Sequence, residues 1–112
     1  MITRHFLVLT LVAACSTHAV AQANDTLAKA RASNLITMGV RESSAPLSYL
    51  LGDSKYVGYH VALCERILSS LLPNVRIQYQ PVTSQNRIPL VQNGTVDIEC
   101  GSTSNNAARK PQ

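Results

Sequence analysis

Thr83-Ser84-Gln85-Asn86-Arg87-Ile88-Pro89-Leu90-Val91-Gln92-Asn93-Gly94 leads into Thr95-Val96-Asp97-Ile98-Glu99-Cys100, then Gly101-Ser102-Thr103-Ser104-Asn105-Asn106 and on to Arg109. Two hydroxyl-rich segments, each followed by an arginine, flank a short β-type run. Thr83 or Ser84 is positioned to cap a short helix that runs to Gln92, and Asn93-Gly94 ends it. Val96 to Cys100 then reads as a strand, and the polar segment behind it as a loop. Hydroxyls, open backbone N–H groups and guanidinium forks suit a surface that holds carboxylates. Gly101-Ser102-Thr103-Ser104 is not a nucleophile elbow, because it lacks the second glycine and a histidine–carboxylate partner.

Working back from this stretch, Val75-Arg76-Ile77-Gln78-Tyr79-Gln80 alternates apolar and polar residues. That alternation predicts a half-buried strand with Val75, Ile77 and Tyr79 inward, ended by Pro81. Gly58 to Leu72 is the clearest helix, with an apolar stripe of Leu63, Cys64, Ile67, Leu68, Leu71 and Leu72. Leu35 to Val40 is a short apolar run whose length favours a buried strand. Arg41 to Pro46 follows as a loop, and Leu47 to Val57 as an irregular segment or small hairpin turning at Gly52-Asp53-Ser54. Asn24 to Ser33 forms a lead-in helix capped by Asp25 or Thr26. The resulting order β-α-β-α-β with short connections predicts an α/β fold with three parallel strands and flanking helices. Three polar loops, Arg41 to Ser44, Thr83 to Arg87 and Gly101 to Arg109, then share the carboxyl edge of the sheet, where ligands collect.

Several strings in register carry a resemblance: Arg41-Glu42-Ser43-Ser44, Thr83 to Leu90, Gln92-Asn93-Gly94-Thr95 and Glu99-Cys100-Gly101-Ser102-Thr103. Together they resemble the periplasmic glutamate/aspartate-binding proteins of bacterial ABC uptake systems, over about Leu35 to Arg109. The resemblance implies a type II, two-lobed α/β fold, of which residues 24–112 correspond to the N-terminal part of the first lobe. It implies that Arg109, with Ser102 and Ser104, takes the α-carboxylate of the ligand, and that Arg41 and Arg87, with Ser84, take the side-chain carboxylate. Ser104 stands where a threonine is usual. His60 stands where related amino-acid-binding proteins often carry an aspartate, and there a protonated imidazole opposes the helix dipole. The expected partners are L-glutamate or L-aspartate and the permease subunits of an ABC transporter. No cofactor and no metal are expected. The ligand's ammonium group lacks an obvious acceptor, with Glu42 and Glu99 assigned to structural or loop roles. Half a cleft implies weak affinity. Two other readings remain: an enzyme on the same lobes, of the cyclohexadienyl dehydratase or lytic type, and a ligand-sensing module.

The totals agree with export and binding. The 112 residues carry a formal charge of +4, without any lysine or arginine run. Clustered basic residues with stacking aromatics, the marks of nucleic-acid binding, are absent. Met1 to His5 is a basic n-region, Phe6 to Ala14 an apolar h-region, and Ala19-Val20-Ala21 and Ala21-Gln22-Ala23 are cleavage sites. Residues 1–23 therefore read as a signal peptide directing the chain to the periplasm. Val12-Ala13-Ala14-Cys15 resembles a lipobox, but the later Ala-x-Ala sites favour soluble export over an anchor on Cys15. Three cysteines are too few for a disulfide scaffold or a zinc site. Cys64 and Cys100 could oxidise together, although Cys64 reads more simply as a small buried hydrophobe, and Cys100 could pair outside this stretch.

Overall fold

The computed structural model describes residues 25–112, so the signal peptide expected over 1–23 and the lipobox at Cys15 lie outside the described residues. The elements are α1 (Thr26–Ser33), β1 (Leu35–Val40), β2 (Ser43–Ser44), β3 (Ser48–Leu51), β4 (Lys55–Val57), α2 (Tyr59–Leu71), β5 (Arg76–Pro81), α3 (Arg87–Gln92) and β6 (Ile98–Glu99).

The apolar run Leu35 to Val40 becomes the middle strand of a parallel sheet in the order β5-β1-β6. It pairs with β5 from Leu35↔Arg76 to Val40↔Pro81, and with β6 through Met38↔Ile98 and Gly39↔Glu99. A middle strand covered on both faces is mostly apolar; Thr37 is the one polar residue here, and Ile36, Met38 and Val40 are buried. They form the core with Ala30, Val61, Leu68, Leu72 and Cys100. The expected β-α-β-α-β order with three parallel strands is therefore present. α1 is capped by Asp25, whose Oδ1 accepts from the N–H groups of Leu27 and Ala28 at 3.1 Å each. At the other end Asn34 adopts the left-handed conformation and stops the helix.

Several local expectations need correction. Arg41 to Pro46 is not wholly a loop, because Ser43 and Ser44 pair with Tyr49 and Ser48. The resulting β2-β3-β4 unit is an antiparallel sheet, with β3 and β4 forming the expected small hairpin. Its serine-rich first strand has no hydrophobic alternation to reveal it. On α2 the six-residue stripe divides. Leu68 and Leu72 are buried together with Val61, whereas Leu63, Ile67 and Leu71 are 44%, 43% and 50% exposed. Spacings of three and four occur on two adjacent faces of one helix, and only the face carrying Val61 and Leu68 meets the sheet. β5 is an edge strand, so Tyr79 is not inward. Its hydroxyl donates to Glu65 at 2.5 Å, and its ring stacks on Tyr56 at 5.8 Å. Burial first, then the Glu65 hydrogen bond and charge, push the Tyr79 phenol up to about 12. Pro81 is the last residue of this strand rather than its terminator, as an edge permits.

α3 begins at Arg87 rather than at Thr83 or Ser84. Thr83 and Asn86 exchange hydrogen bonds, Thr83 N–H to Asn86 Oδ1 at 2.7 Å and Asn86 N–H to Thr83 Oγ1 at 3.2 Å, and this turn delays the helix. Gly94, at φ +79°, ends it as expected. The strand read over Val96 to Cys100 narrows to Ile98–Glu99, flanked by single bonds from Asp97 N–H to the Thr37 carbonyl and from Cys100 N–H to the Gly39 carbonyl. Cys64 is not a free buried thiol: it is disulfide-bonded to Cys100, with their Cα atoms 6.3 Å apart. Packing α2 against the end of β6 makes that pairing, a juxtaposition that helix periodicity alone does not reveal.

Candidate anion-binding site

The carboxyl ends of β1, β5 and β6 bring the three polar loops to one edge. Arg41 follows β1 directly, and its backbone N–H donates to the Oγ of fully buried Ser48 at 2.9 Å. Its side chain crosses to the loop after β5, where Nη1 donates to Ser84 Oγ at 3.0 Å. Arg87, the first residue of α3, is only 7% exposed. Its Nη1 donates to Ser102 Oγ at 3.3 Å, and Ser102 Oγ in turn donates to Ser44 Oγ at 3.4 Å. The Nε of Arg87 is buried and has no partner among the described residues. Arg109 folds back on its own loop, donating from Nη1 to the Ser104 carbonyl at 3.0 Å. The resemblance grouped Arg41 with Ser84, and the two side chains do meet. However, it grouped Arg87 with that loop alone, while the guanidinium reaches across to Ser102.

A cavity of about 380 Å³ lies beside α3, lined by Arg87, Glu99, Ser104, Arg109 and Lys110 among others. Arg41, Ser84 and Ser102 are outside this lining, so the site residues form a strip rather than one pocket. Among the described residues the ion pair is Lys29 with Asp97, and none of Arg41, Arg87 and Arg109 joins one. A buried guanidinium without a counter-charge is costly, and a carboxylate is the group that would relieve that cost. No cluster able to hold a metal is found among the described residues.

Glu99 and His60 take contacts that sequence reasoning missed, and Gly101, already read into the third loop, takes a steric role. Glu99 lines the cavity, and its Oε1 is buried without a partner; residue type alone could not separate it from a loop carboxylate. Gly101 is required by space, since a Cβ there would overlap the Glu99 carboxylate and the Arg41 stem. The string Cys100-Gly101-Ser102 was the available signal for it. His60, expected only to oppose the helix dipole, has a partner: its Nδ1 lies 2.5 Å from the Gly101 carbonyl oxygen. The start of α2 is secured by backbone instead, through Tyr59 N–H to the Pro46 carbonyl and His60 N–H to the Leu47 carbonyl.

Residues 36–112 match the model of the bacterial extracellular solute-binding proteins, family 3. The chain belongs to that family. It is 47% identical over 93 residues to an L-glutamate/L-aspartate-binding protein of Pseudomonas aeruginosa, a match covering 78% of this chain and 31% of the relative. It is 46% identical over 95 residues to the glutamate/aspartate import solute-binding protein of Escherichia coli, covering 80% of this chain and 32% of that protein. The chain thus spans about a third of the length of the curated relatives it matches. Among solved structures, a cysteine-binding protein from Campylobacter jejuni superposes with a TM-score of 0.71 at 25% identity, over 78% of this chain and 36% of that one. Membership in a family of extracellular solute-binding proteins favours binding over the enzyme reading. The α/β fold with its parallel sheet is that of the amino-acid-binding proteins.

Proposed function

We propose that residues 24–112 form the N-terminal part of the first lobe of an exported glutamate/aspartate-binding protein that serves an ABC importer. The observation that carries this reading is the set of arginines at one sheet edge. None of them has a carboxylate partner, each contacts a serine, and Arg87 is buried with an open Nε. Two strongly similar relatives are named for glutamate and aspartate, and a ligand with two carboxylates matches a strip with several guanidinium groups. Arg109, Ser102 and Ser104 hold the α-carboxylate in this reading, while Arg41, Arg87 and Ser84 hold the side-chain carboxylate. Each such charge-assisted bond contributes on the order of 1.5–3 kcal/mol. A neutral side chain would leave a buried guanidinium unpaired, which selects against glutamine. Export follows cleavage after Ala21 or Ala23, and the permease subunits are the protein partner.

Calorimetry with glutamate, aspartate, glutamine and lysine tests this reading. The two acidic amino acids should bind, glutamine should bind more weakly, and lysine should not bind detectably. Equal affinity for glutamate and lysine would contradict it.

A further inference from the structure

His60 and Cys64 stand one helical turn apart on α2, and both reach the segment that carries Ser102 and Ser104. Cys64 is bonded to Cys100, and the His60 Nδ1 lies 2.5 Å from the Gly101 carbonyl oxygen. A carbonyl oxygen can only accept, so the imidazole must donate from Nδ1. The Gly101 C=O and the Ser102 N–H belong to one planar peptide unit. The cis bond found among the described residues is Ala45–Pro46, which leaves this unit trans. In a trans unit the C=O and N–H point in opposite directions. Holding the Gly101 oxygen against α2 therefore turns the Ser102 N–H away from α2. That N–H makes no backbone hydrogen bond among the described residues. Ser102 Oγ is meanwhile in contact with Arg87 and Ser44, which places the residue within the strip. A Cβ at Gly101 would overlap the Arg41 stem and the Glu99 carboxylate, so both side chains lie close over this residue.

We propose that His60 is a positioning residue for the carboxylate site. By gripping the Gly101 carbonyl it aims the Ser102 N–H at a carboxylate of the amino-acid ligand. The Cys64–Cys100 disulfide fixes the residue just before, so α2 sets both the place and the orientation of this donor. A hydrogen bond to the carbonyl also polarises the peptide and strengthens its N–H as a donor. The inference rests on the functional reading above, since it needs an anionic ligand.

Glutamate titrated into the protein completed to the length of its relatives, followed by amide NMR, tests the inference against His60→Leu and His60→Asn. In the wild type the His60 Nδ1 should carry a proton and show coupling to the Gly101 carbonyl. His60→Leu should shift the Ser102 amide resonance without ligand and weaken glutamate roughly tenfold, the loss of about one charge-assisted hydrogen bond. His60→Asn places an N–H donor at similar reach and should restore most of the affinity, a rescue that a packing role would not produce. An unprotonated Nδ1 in the wild type would overturn the inference, even if the leucine variant failed to fold. So would a leucine variant that bound glutamate as tightly as the wild type, or an asparagine variant as weak as the leucine one. In those cases the functional reading stands. A wild type that bound neither glutamate nor aspartate would overturn the functional reading, and this inference with it.

Discussion

The loop after β6 and the loops after β1 and β5 face the same edge but are held very differently. The β6 loop is tied by the Cys64–Cys100 disulfide, by His60 on Gly101, by Arg87 on Ser102 and by Arg109 on the Ser104 carbonyl. The other two loops meet each other through a single side-chain bond, from Arg41 to exposed Ser84, although the first is also paired to β3 and joined to Ser102 through Ser44. The tethered loop has less freedom to lose on binding, so more of its contact energy appears as affinity. In the proposed site it holds the α-carboxylate, which every amino acid carries. In the same proposal the other two loops, joined to each other only through Arg41 and Ser84, hold the group that differs between ligands. Buried Arg87 lies between the two halves.

The largest effect should come from cutting the tether. Replacing Cys64 and Cys100 by serine opens a loop of 36 residues, and the chain-entropy cost is roughly 3–4 kcal/mol of stability. Chemical denaturation of the double variant measures it. Where the variant remains folded, glutamate and glutamine should weaken together, because the tethered half serves both. A selective loss of glutamate would break the comparison.

A smaller and more selective effect is expected in the loose half. Ser84→Ala removes the one bond that joins the two loops and should weaken glutamate by about 1 kcal/mol. Glutamine should hardly respond, and competition binding with both ligands checks this. Equal losses would place Ser84 in the common half.

The smallest effect lies outside both halves and serves as a control. The folded Tyr79 phenol is raised from 10.0 to about 12, so its neutral form is favoured in the native state. Its contribution to stability is therefore complete below pH 10 and is lost as the pH rises toward 12. Thermal melts across that range should show the loss, and Tyr79→Phe should flatten it without changing ligand preference.

The strands and the order of elements were legible in the sequence because burial imposes a pattern. Leu35 to Val40 is apolar but for Thr37, as a middle strand, and Leu63 to Leu72 carries a helical stripe. Limits appeared where pattern is ambiguous or long-range. Leu63, Ile67 and Leu71 repeat like core residues yet face outward, since a three-and-four spacing does not say which of two faces meets the sheet. Ser43 and Ser44 pair through backbone groups that leave no side-chain signature. For the candidate site, residue type at strand ends pointed to three polar loops, and the family resemblance singled out Arg41, Ser84, Arg87, Ser102, Ser104 and Arg109 within them. Two contacts that hold the loop were hidden because each joins residues far apart in the chain, His60 to Gly101 and Ser44 to Ser102, while the Cys64–Cys100 bond was one of the open alternatives and periodicity favoured a free Cys64. Glu99 was set aside because nothing local shows that one of its oxygens is buried.

The division between a common half and a discriminating half is tested most directly by one crossed calorimetric experiment, in the protein completed to the length of its relatives. Arg87→Met and Arg109→Met each keep part of the stem packing while deleting the charged fork. Arg87→Met should weaken glutamate by roughly 2–5 kcal/mol, the cost of breaking a buried charge pair, and glutamine far less. Arg109→Met should weaken both ligands together. Equal loss of both ligands in Arg87→Met, or unchanged binding in Arg109→Met, would contradict the division.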